Sequence, residues 1–458
     1  MSDFSQVLTQ PALIQAVQAL GYEKMTPIQA GALPPMLAGK DVIAQARTGS
    51  GKTVAFGLAL LARIDPGQIR AQALVLCPTR ELADQVAKEL RRLARFVPNV
   101  KLATLCGGIP LRPQIASLTH EPHIVVGTPG RIEELLEQGY LKFDAIEVLV
   151  LDEADRMLDM GFEESVNAVV AATSVLRQTL LFSATYPESI RAVSQRLQRH
   201  PVEVTVDTEH RDDEIEQQFF EVDASRKLDA VVNLLALHRP ESAIVFCNTR
   251  RDVQDVTEQL EKRGFYALAL HGDLEQRERD EVLLRFANRS CTVLVATDVA
   301  ARGLDIKELG AVVSYELPTD PDIHVHRIGR SGRAGQKGLA LNLVSSKEMG
   351  RTAAIEERAK APLRWAGLKL SDRAERAPAR APMATLCIDG GRKDKLRPAD
   401  ILGALTGTAG MAGDAIGKID IFDTRAYVAV KAEFVEKAFE RLRAGKIKGR
   451  TFRVRRIG

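Results

Sequence analysis

Ala46-Arg47-Thr48-Gly49-Ser50-Gly51-Lys52-Thr53 stands between a run that reads as a strand, residues 41–45 (DVIAQ), and an apolar run that reads as a helix. Strand, glycine-rich loop and helix in that order form a phosphate cradle. Glycines let backbone N–H groups turn inward, and the helix N-terminus adds positive potential. In this arrangement Gly49, Ser50 and Gly51 shape the loop with Thr48, Lys52 reaches the outer phosphates, and Thr53 can ligate Mg²⁺. The generic pattern opens on Gly, whereas this chain has Ala46.

Working outward, short apolar runs alternate with helical patterns, as a parallel sheet with crossover helices requires. Residues 73–77 (ALVLC), 124–126, 148–151 and 179–182 read as buried strands, and Leu82, Val86, Leu90 and Leu93 line one face of a helix. A polar, acidic stretch near residues 207–216 reads as a linker, so the first lobe is expected over 1–206. The alternation restarts at 243–247 and runs through 339–344, giving a second lobe over 217–370. A charged, Pro/Ala-rich break over 371–382 (SDRAERAPARAP) separates it from a tail of residues 383–458.

Two further motifs carry chemistry. Leu151-Asp152-Glu153-Ala154-Asp155 closes the strand at 148–151. Acidic groups at the carboxyl end of a strand beside a phosphate loop can hold Mg²⁺ and polarise water, with Asp152 the metal-side group and Glu153 the general base. In the second lobe, His326-Arg327-Ile328-Gly329-Arg330-Ser331-Gly332-Arg333 offers arginines that could meet a triphosphate, although in isolation such a run reads better as an ordinary basic loop.

Composition sets the frame. The 458 residues are 45% hydrophobic and 27% charged, which suits a globular chain of two or three domains. No apolar run is long enough to span a bilayer and the first ten residues lack the pattern of a signal peptide, so the expected location is the cytoplasm. The five cysteines (Cys77, Cys106, Cys247, Cys291, Cys387) show no CxxC spacing and read as buried thiols. The net charge of +3 is unevenly spread. Residues 383–458 hold 16 Lys and Arg against 9 Asp and Glu, leaving 47 against 51 in the first 382 residues. A polyanion is the expected partner of the tail.

Taken together, these elements resemble the DEAD-box RNA helicases of superfamily two, and Ala46 fits the helicase form of the phosphate loop. The resemblance is carried by Gly21-Tyr22, Met25-Thr26-Pro27-Ile28-Gln29, Ala46 to Thr53, Pro78-Thr79-Arg80-Glu81-Leu82-Ala83, Gly107-Gly108 and Thr128-Pro129-Gly130-Arg131. It continues through Asp152 to Asp155, Ser183-Ala184-Thr185, Val245 to Thr249, His271-Gly272-Asp273, Ala296-Thr297-Asp298, Arg302-Gly303-Leu304-Asp305 and His326 to Arg333. It implies two tandem RecA-like parallel-sheet lobes and ATP as the nucleotide, with Tyr22 stacking on adenine, Gln29 reading its edge and Asp305 touching the ribose. It also implies Arg330 and Arg333 as arginine fingers, and Ser183 and Thr185 as coupling residues. Arg80, Gly108, Thr128, Arg131, Thr249, Gly272 and Thr297 would line an RNA backbone path, a mode of contact that positions a strand without reading its bases.

The tail pattern is strand (384–388), helix (398–405), strand (416–422), strand (426–430), helix (433–443), strand (451–455). That βαββαβ order is an α+β, RRM-like topology. Its third strand, 425–430 (RAYVAV), carries one aromatic residue. Charge gathers instead in Gly391 to Pro398 and Lys446 to Arg450, making Lys393, Lys395, Arg397, Lys446, Lys448 and Arg450 the RNA-binding candidates. The first run and the Asp400-Ile401-Leu402-Gly403-Ala404-Leu405 segment after it resemble the DbpA subfamily. That likeness implies a 23S rRNA hairpin, and hence the assembling large ribosomal subunit, as target. A monomer is the expected state. The motifs equally suit a local unwinding enzyme or an ATP-gated RNA clamp, and a DNA helicase of the wider superfamily stands as a third reading.

Overall fold

The computed structural model describes residues 3–46, 49–206, 215–301, 309–331, 338–368, 377–407 and 410–457. These divide into two compact units, the first essentially residues 1–209 and the second the rest of the chain.

In the first unit, short runs of Val, Ile, Leu and Ala form strands covered on both faces, the burial expected when every crossover is a helix. The strands are β1 (Val42–Gln45), β2 (Ala73–Leu76), β3 (Leu102–Leu105), β4 (Ile124–Gly127), β5 (Val148–Asp152), β6 (Gln178–Ser183) and β7 (Val202–Thr205). All pair in parallel, in the order β3-β4-β2-β5-β6-β1-β7. Alternate residues feed opposite cores: Ala73 and Val75 pack on one side of the sheet, Leu74 and Leu76 on the other. The helix Lys52–Leu61 is apolar almost all round because it lies between the sheet and an outer layer. Gly57 allows that closeness, since a Cβ there would lie 2.8 Å from Leu93 Cδ1 and 2.9 Å from Leu90 Cδ2 on the helix Arg80–Leu93.

The second unit repeats the plan with β8 (Ile215–Glu221), β9 (Ala243–Phe246), β10 (Ala267–Leu270), β11 (Val293–Ala296), β12 (Ala311–Ser314) and β13 (Gly338–Val344). These are parallel in the order β10-β11-β9-β12-β13-β8. The linker expected over 207–216 therefore ends too late: Ile215 and Glu216 begin β8, whose polar outer residues suit an edge strand and mask its character in the sequence. Residues 207–214 lie outside the described residues.

The tail is an antiparallel sheet of β14 (Met383–Ile388), β15 (Ile416–Ile421), β16 (Ala426–Lys431) and β17 (Val454–Ile457), ordered β15-β16-β14-β17. Helices Pro398–Thr406 and Val435–Ala444 cover one face through Leu386, Ile388, Ile401, Val428, Val430 and Leu442. The last strand starts at Val454 rather than at 451, because a turn closed by reciprocal backbone hydrogen bonds between Ile447 and Arg450 delays entry into the sheet. Within the expected second linker, residues 371–376 lie outside the described set, whereas Ala381 is buried and the Pro382 carbonyl accepts from Ala432 N–H.

The opposite face of the tail sheet packs on lobe 2. Cys387 and Tyr427 cluster with Leu284 of the helix Gln276–Ala287, and Ile457 borders them. Tyr427 Oη donates to Glu281 Oε2 at 3.2 Å, and Asn288 Nδ2 donates to Thr385 Oγ1 at 2.9 Å. The Ser290 and Thr385 hydroxyls lie 2.7 Å apart. Among the described residues no helix is long and apolar enough to cross a membrane.

Candidate active site and RNA interface

In lobe 1, β1 delivers the phosphate loop and β5 the acidic motif, with β6 between them. The loop is held from outside. Gly51, at φ +96°, has its carbonyl bound by Gln29 Nε2 at 3.1 Å, while Gln29 Oε1 accepts from Thr26 N–H at 2.9 Å and caps the helix Pro27–Leu37. Gln29 is thus a brace for the loop, leaving one N–H and one lone pair for a base. Tyr22 is half-buried and donates to Glu89 Oε1 at 2.8 Å. Burial, then the Glu89 carboxylate, raise its phenol above the ordinary value. Thr48 lies outside the described residues.

Lys52 opens the helix Lys52–Leu61 and is buried, and its Nζ has no hydrogen-bond partner among the described residues; neither do Ser50 Oγ, Ser183 Oγ and Asp152 Oδ1. Buried polar groups without partners are costly, so a cradle of them marks a place where a polar ligand completes the bonding. Asp152, the last residue of β5, is pushed up to about 6 by burial, opposed by the Lys52 charge and aided by Glu153. A cation beside that carboxylate would restore its charged form. Thr53 and Asp152 fit Mg²⁺, which takes few protein oxygens and fills its shell with phosphate and water.

Glu153 caps the helix Ala154–Asp159 in a left-handed conformation, φ +54°, that turns its carboxylate back to Arg156 at 2.7 Å in a buried pair. Asp155 reaches across to the end of β6. Its Oδ2 accepts from Ala184 N–H at 3.1 Å, Thr185 N–H at 3.0 Å and Thr185 Oγ1 at 2.9 Å. Ala46 N–H donates to the Ser183 carbonyl at 3.0 Å, so the backbone of β6 links the acidic motif to the entrance of the phosphate loop.

The phosphate, metal and coupling candidates of this lobe thus follow β1, β5 and β6, and its RNA candidates follow the neighbouring strands β2, β3 and β4 at the same carboxyl edge. Arg80 starts its helix and pairs with Asp84 at 3.7 Å. Gly107 N–H donates to Thr128 Oγ1 at 3.1 Å, Gly108 turns at φ +74°, and Arg131 holds the Ile109 carbonyl, which brings Gly108, Thr128 and Arg131 together.

Lobe 2 shows the same division. Thr249, Gly272 and Thr297 follow the adjacent strands β9, β10 and β11. Thr249 caps the helix Arg250–Lys262, and Thr297 Oγ1 accepts from Ala300 N–H at 3.3 Å. Arg330 ends the turn after the helix Pro321–Ile328 and is 9% exposed. Arg333 and Asp305 lie outside the described residues.

The structure adds Arg327, a member of the basic motif, to these residues. Arg327 is 1% exposed and grips Asp298 through Nε to Oδ1 and Nη2 to Oδ2, both 2.7 Å. Nη2 also donates to Asn248 Oδ1 at 2.9 Å and Nη1 to the Glu316 carbonyl at 2.5 Å. It ties together the loops after β9, β11 and β12. The only signal in the sequence is its place in the basic motif, since its partners lie 29 and 79 positions away.

In the tail all six candidate cations are exposed, and Lys448 joins the two basic runs by donating to the Lys395 carbonyl at 2.9 Å.

Known families match this arrangement in order: a DEAD/DEAH box helicase domain over residues 26–193, a helicase conserved C-terminal domain over 226–335 and a DbpA RNA binding domain over 385–456. The chain is 54% identical over 445 residues to the ATP-dependent RNA helicase DbpA of Escherichia coli K12, covering 97% of each protein. The chain belongs to the DEAD-box ATP-dependent RNA helicases. A DEAD-box helicase CshA of Bacillus cereus is 44% identical over 361 residues, 79% of this chain and 69% of the relative. Among solved structures, Saccharomyces cerevisiae Dbp5 bound to RNA and ADP BeF3 superposes with a TM-score of 0.74 at 30% identity, covering 80% of this helicase and 96% of Dbp5. The two RecA-like lobes and the use of ATP follow from membership, and the RNA-binding tail from the DbpA domain match.

Proposed function

We propose that this helicase hydrolyses ATP with Mg²⁺ to open short RNA duplexes in 23S rRNA during assembly of the large ribosomal subunit. The carrying observation is the tail: a DbpA-type RNA-binding domain whose two basic runs are exposed and knitted together by Lys448. Lys52 and the loop from Thr48 to Thr53 hold the phosphates, Thr53 and Asp152 hold the metal, and Glu153 takes a proton from the attacking water. Tyr22, Gln29 and Asp305 hold the nucleoside, and Arg330 with Arg333 neutralise charge developing in the transition state, an effect of roughly 10³ to 10⁵ in rate where it is supplied by such fingers. Ser183 and Thr185 couple hydrolysis to movement of the protein, Thr185 through its bonds to Asp155. Arg80, Gly108, Thr128, Arg131, Thr249, Gly272 and Thr297 grip the RNA backbone. Lys393, Lys395, Arg397, Lys446, Lys448 and Arg450 choose the RNA, and the protein acts as a cytoplasmic monomer.

ATPase activity against a panel of structured RNAs tests this reading, using the full chain, residues 1–382 and Glu153→Gln. The full chain is expected to respond most strongly to a 23S rRNA hairpin fragment, residues 1–382 to keep basal turnover without that preference, and Glu153→Gln to bind ATP but lose about 10² to 10⁴ in turnover. An undiminished preference in residues 1–382 would remove the tail from RNA choice.

A further inference from the structure

Two residues meet the base in the proposed nucleotide site, Gln29 and Tyr22, and both are held in place by the protein itself. Gln29 is fixed by Thr26 N–H and the Gly51 carbonyl. Tyr22 is fixed at its backbone and at its tip. The helix Pro11–Ala19 ends in a glycine cap: Gly21, at φ +74°, donates through its N–H to the Gln18 carbonyl at 3.0 Å, and Tyr22 N–H donates to the Val17 carbonyl at 3.1 Å. This pair of bonds is the ending that a left-handed glycine permits, and it sets the direction in which the next side chain leaves the backbone. The Tyr22 ring then lies half-buried against the core of lobe 1.

Stacking uses the face of a ring and has no need of a hydroxyl. Here the hydroxyl reaches a separate element. Tyr22 Oη donates to Glu89 Oε1 at 2.8 Å, on the helix Arg80–Leu93 and 67 positions along the chain. The second carboxylate oxygen, Oε2, accepts from Arg92 Nη1 at 2.6 Å. The Glu89 side chain is 17% exposed against 55% for Arg92, so the carboxylate is enclosed between the phenol and a cation on its solvent side. Burial, then the Glu89 carboxylate, keep the proton on the phenol, and the bond runs in one direction. Ordering a side chain at the moment of binding takes free energy from the ligand's affinity. With its backbone set by the glycine cap and its tip by Glu89, the ring is ordered when the lobe folds.

We infer that Glu89 is a positioning residue of the adenine site, fixing the plane of the Tyr22 ring so that an arriving base finds its stacking face already set. The inference rests on Tyr22 being the residue that stacks on adenine. Glu89 acts on the base alone, because the phosphates belong to the loop after β1.

The test follows ATP hydrolysis by the full chain with total ribosomal RNA as stimulant, at constant free Mg²⁺. Inorganic triphosphate, which has the phosphates and no base, serves as competing inhibitor. Glu89→Ala is expected to raise KM for ATP about 3- to 10-fold, the loss of one partly enclosed hydrogen bond to a charged group, with kcat far less affected and the inhibition constant of triphosphate unmoved. Glu89→Gln keeps an acceptor oxygen for the phenol and should return KM to within about twofold of the parent. Tyr22→Phe removes the same bond from the other side, so the double variant Tyr22→Phe/Glu89→Ala should be no worse than either single. An unchanged KM in Glu89→Ala overturns the inference. So does a parallel rise in the triphosphate constant, which would make Glu89 a support of the whole lobe. Tyr22→Ala separates the two claims, since loss of a stacking ring should raise KM for ATP about tenfold or more. That rise beside a silent Glu89→Ala removes the brace and leaves the stacking role standing; an unmoved KM in Tyr22→Ala removes both.

Discussion

Removing the guanidinium of Arg327 should unfasten lobe 2 more than any exposed substitution could. Four of its five N–H groups are engaged, two on the Asp298 carboxylate, one on Asn248 and one on the Glu316 carbonyl, and the group lies 5.1 Å from the centre of the Phe246 ring. Arg327→Met keeps the length of the side chain but leaves a carboxylate and two acceptors facing an apolar group. Breaking a buried ion pair from one side costs about 3–5 kcal/mol, the penalty belonging mostly to the stranded charge. Asp298→Asn strands the cation instead and falls in the same range. Because each single variant suffers from the partner it leaves behind, the double variant should cost less than the sum by about 2 kcal/mol or more. Trp365, the one tryptophan of the chain, sits in lobe 2 with its ring centre 6.0 Å from that of Phe219, and reports the transition selectively in urea. A loss below about 1 kcal/mol in Arg327→Met, or singles that add to within about 0.5 kcal/mol, would refute the reasoning.

Two other outcomes follow from the same structure. His324 is buried beside Phe219, and burial, then the Arg327 charge, lower its pKa to about 4, so the neutral ring is the native form. Its contribution is complete above the unfolded value near 6.5 and is lost as pH falls toward 4; His324→Gln should therefore flatten the acid limb of the Trp365 urea profile by about 3 kcal/mol over that window, and parallel profiles would count against it. At Gly51, φ is +96° and an added Cβ would lie 2.5 Å from Gln29 Nε2, so Gly51→Ala should weaken ATP binding at least about tenfold while RNA affinity measured without nucleotide is unchanged. Unaltered nucleotide affinity would show that the loop can give way.

What was legible in the sequence follows from burial. β2, β4, β5, β9 and β11 are covered on both faces and read as unbroken apolar runs, and the motifs lie at their carboxyl ends because a parallel sheet opens its crevice there. β3 and β7 alternate in burial and β8 is an edge strand, so their polar residues hid them. Side-chain roles that depend on distant partners were also hidden. Arg327 gains its meaning only when folding brings Asp298 and Asn248 to it, and Gln29 becomes a brace only once Gly51 lies against it. Tyr427 stands as the one aromatic of its strand, and nothing in that strand announces Leu284 and Glu281.

The seam between Tyr427 and the helix Gln276–Ala287 bears on how such proteins can be recombined. A tail grafted onto another helicase core by its linker alone would arrive with an uncovered tyrosine, a cysteine and a threonine whose hydroxyl has lost its neighbours. A working chimaera has to transplant Glu281, Leu284, Asn288 and Ser290 with the tail, so the heritable cassette is larger than the folded domain and its boundary runs through the middle of lobe 2.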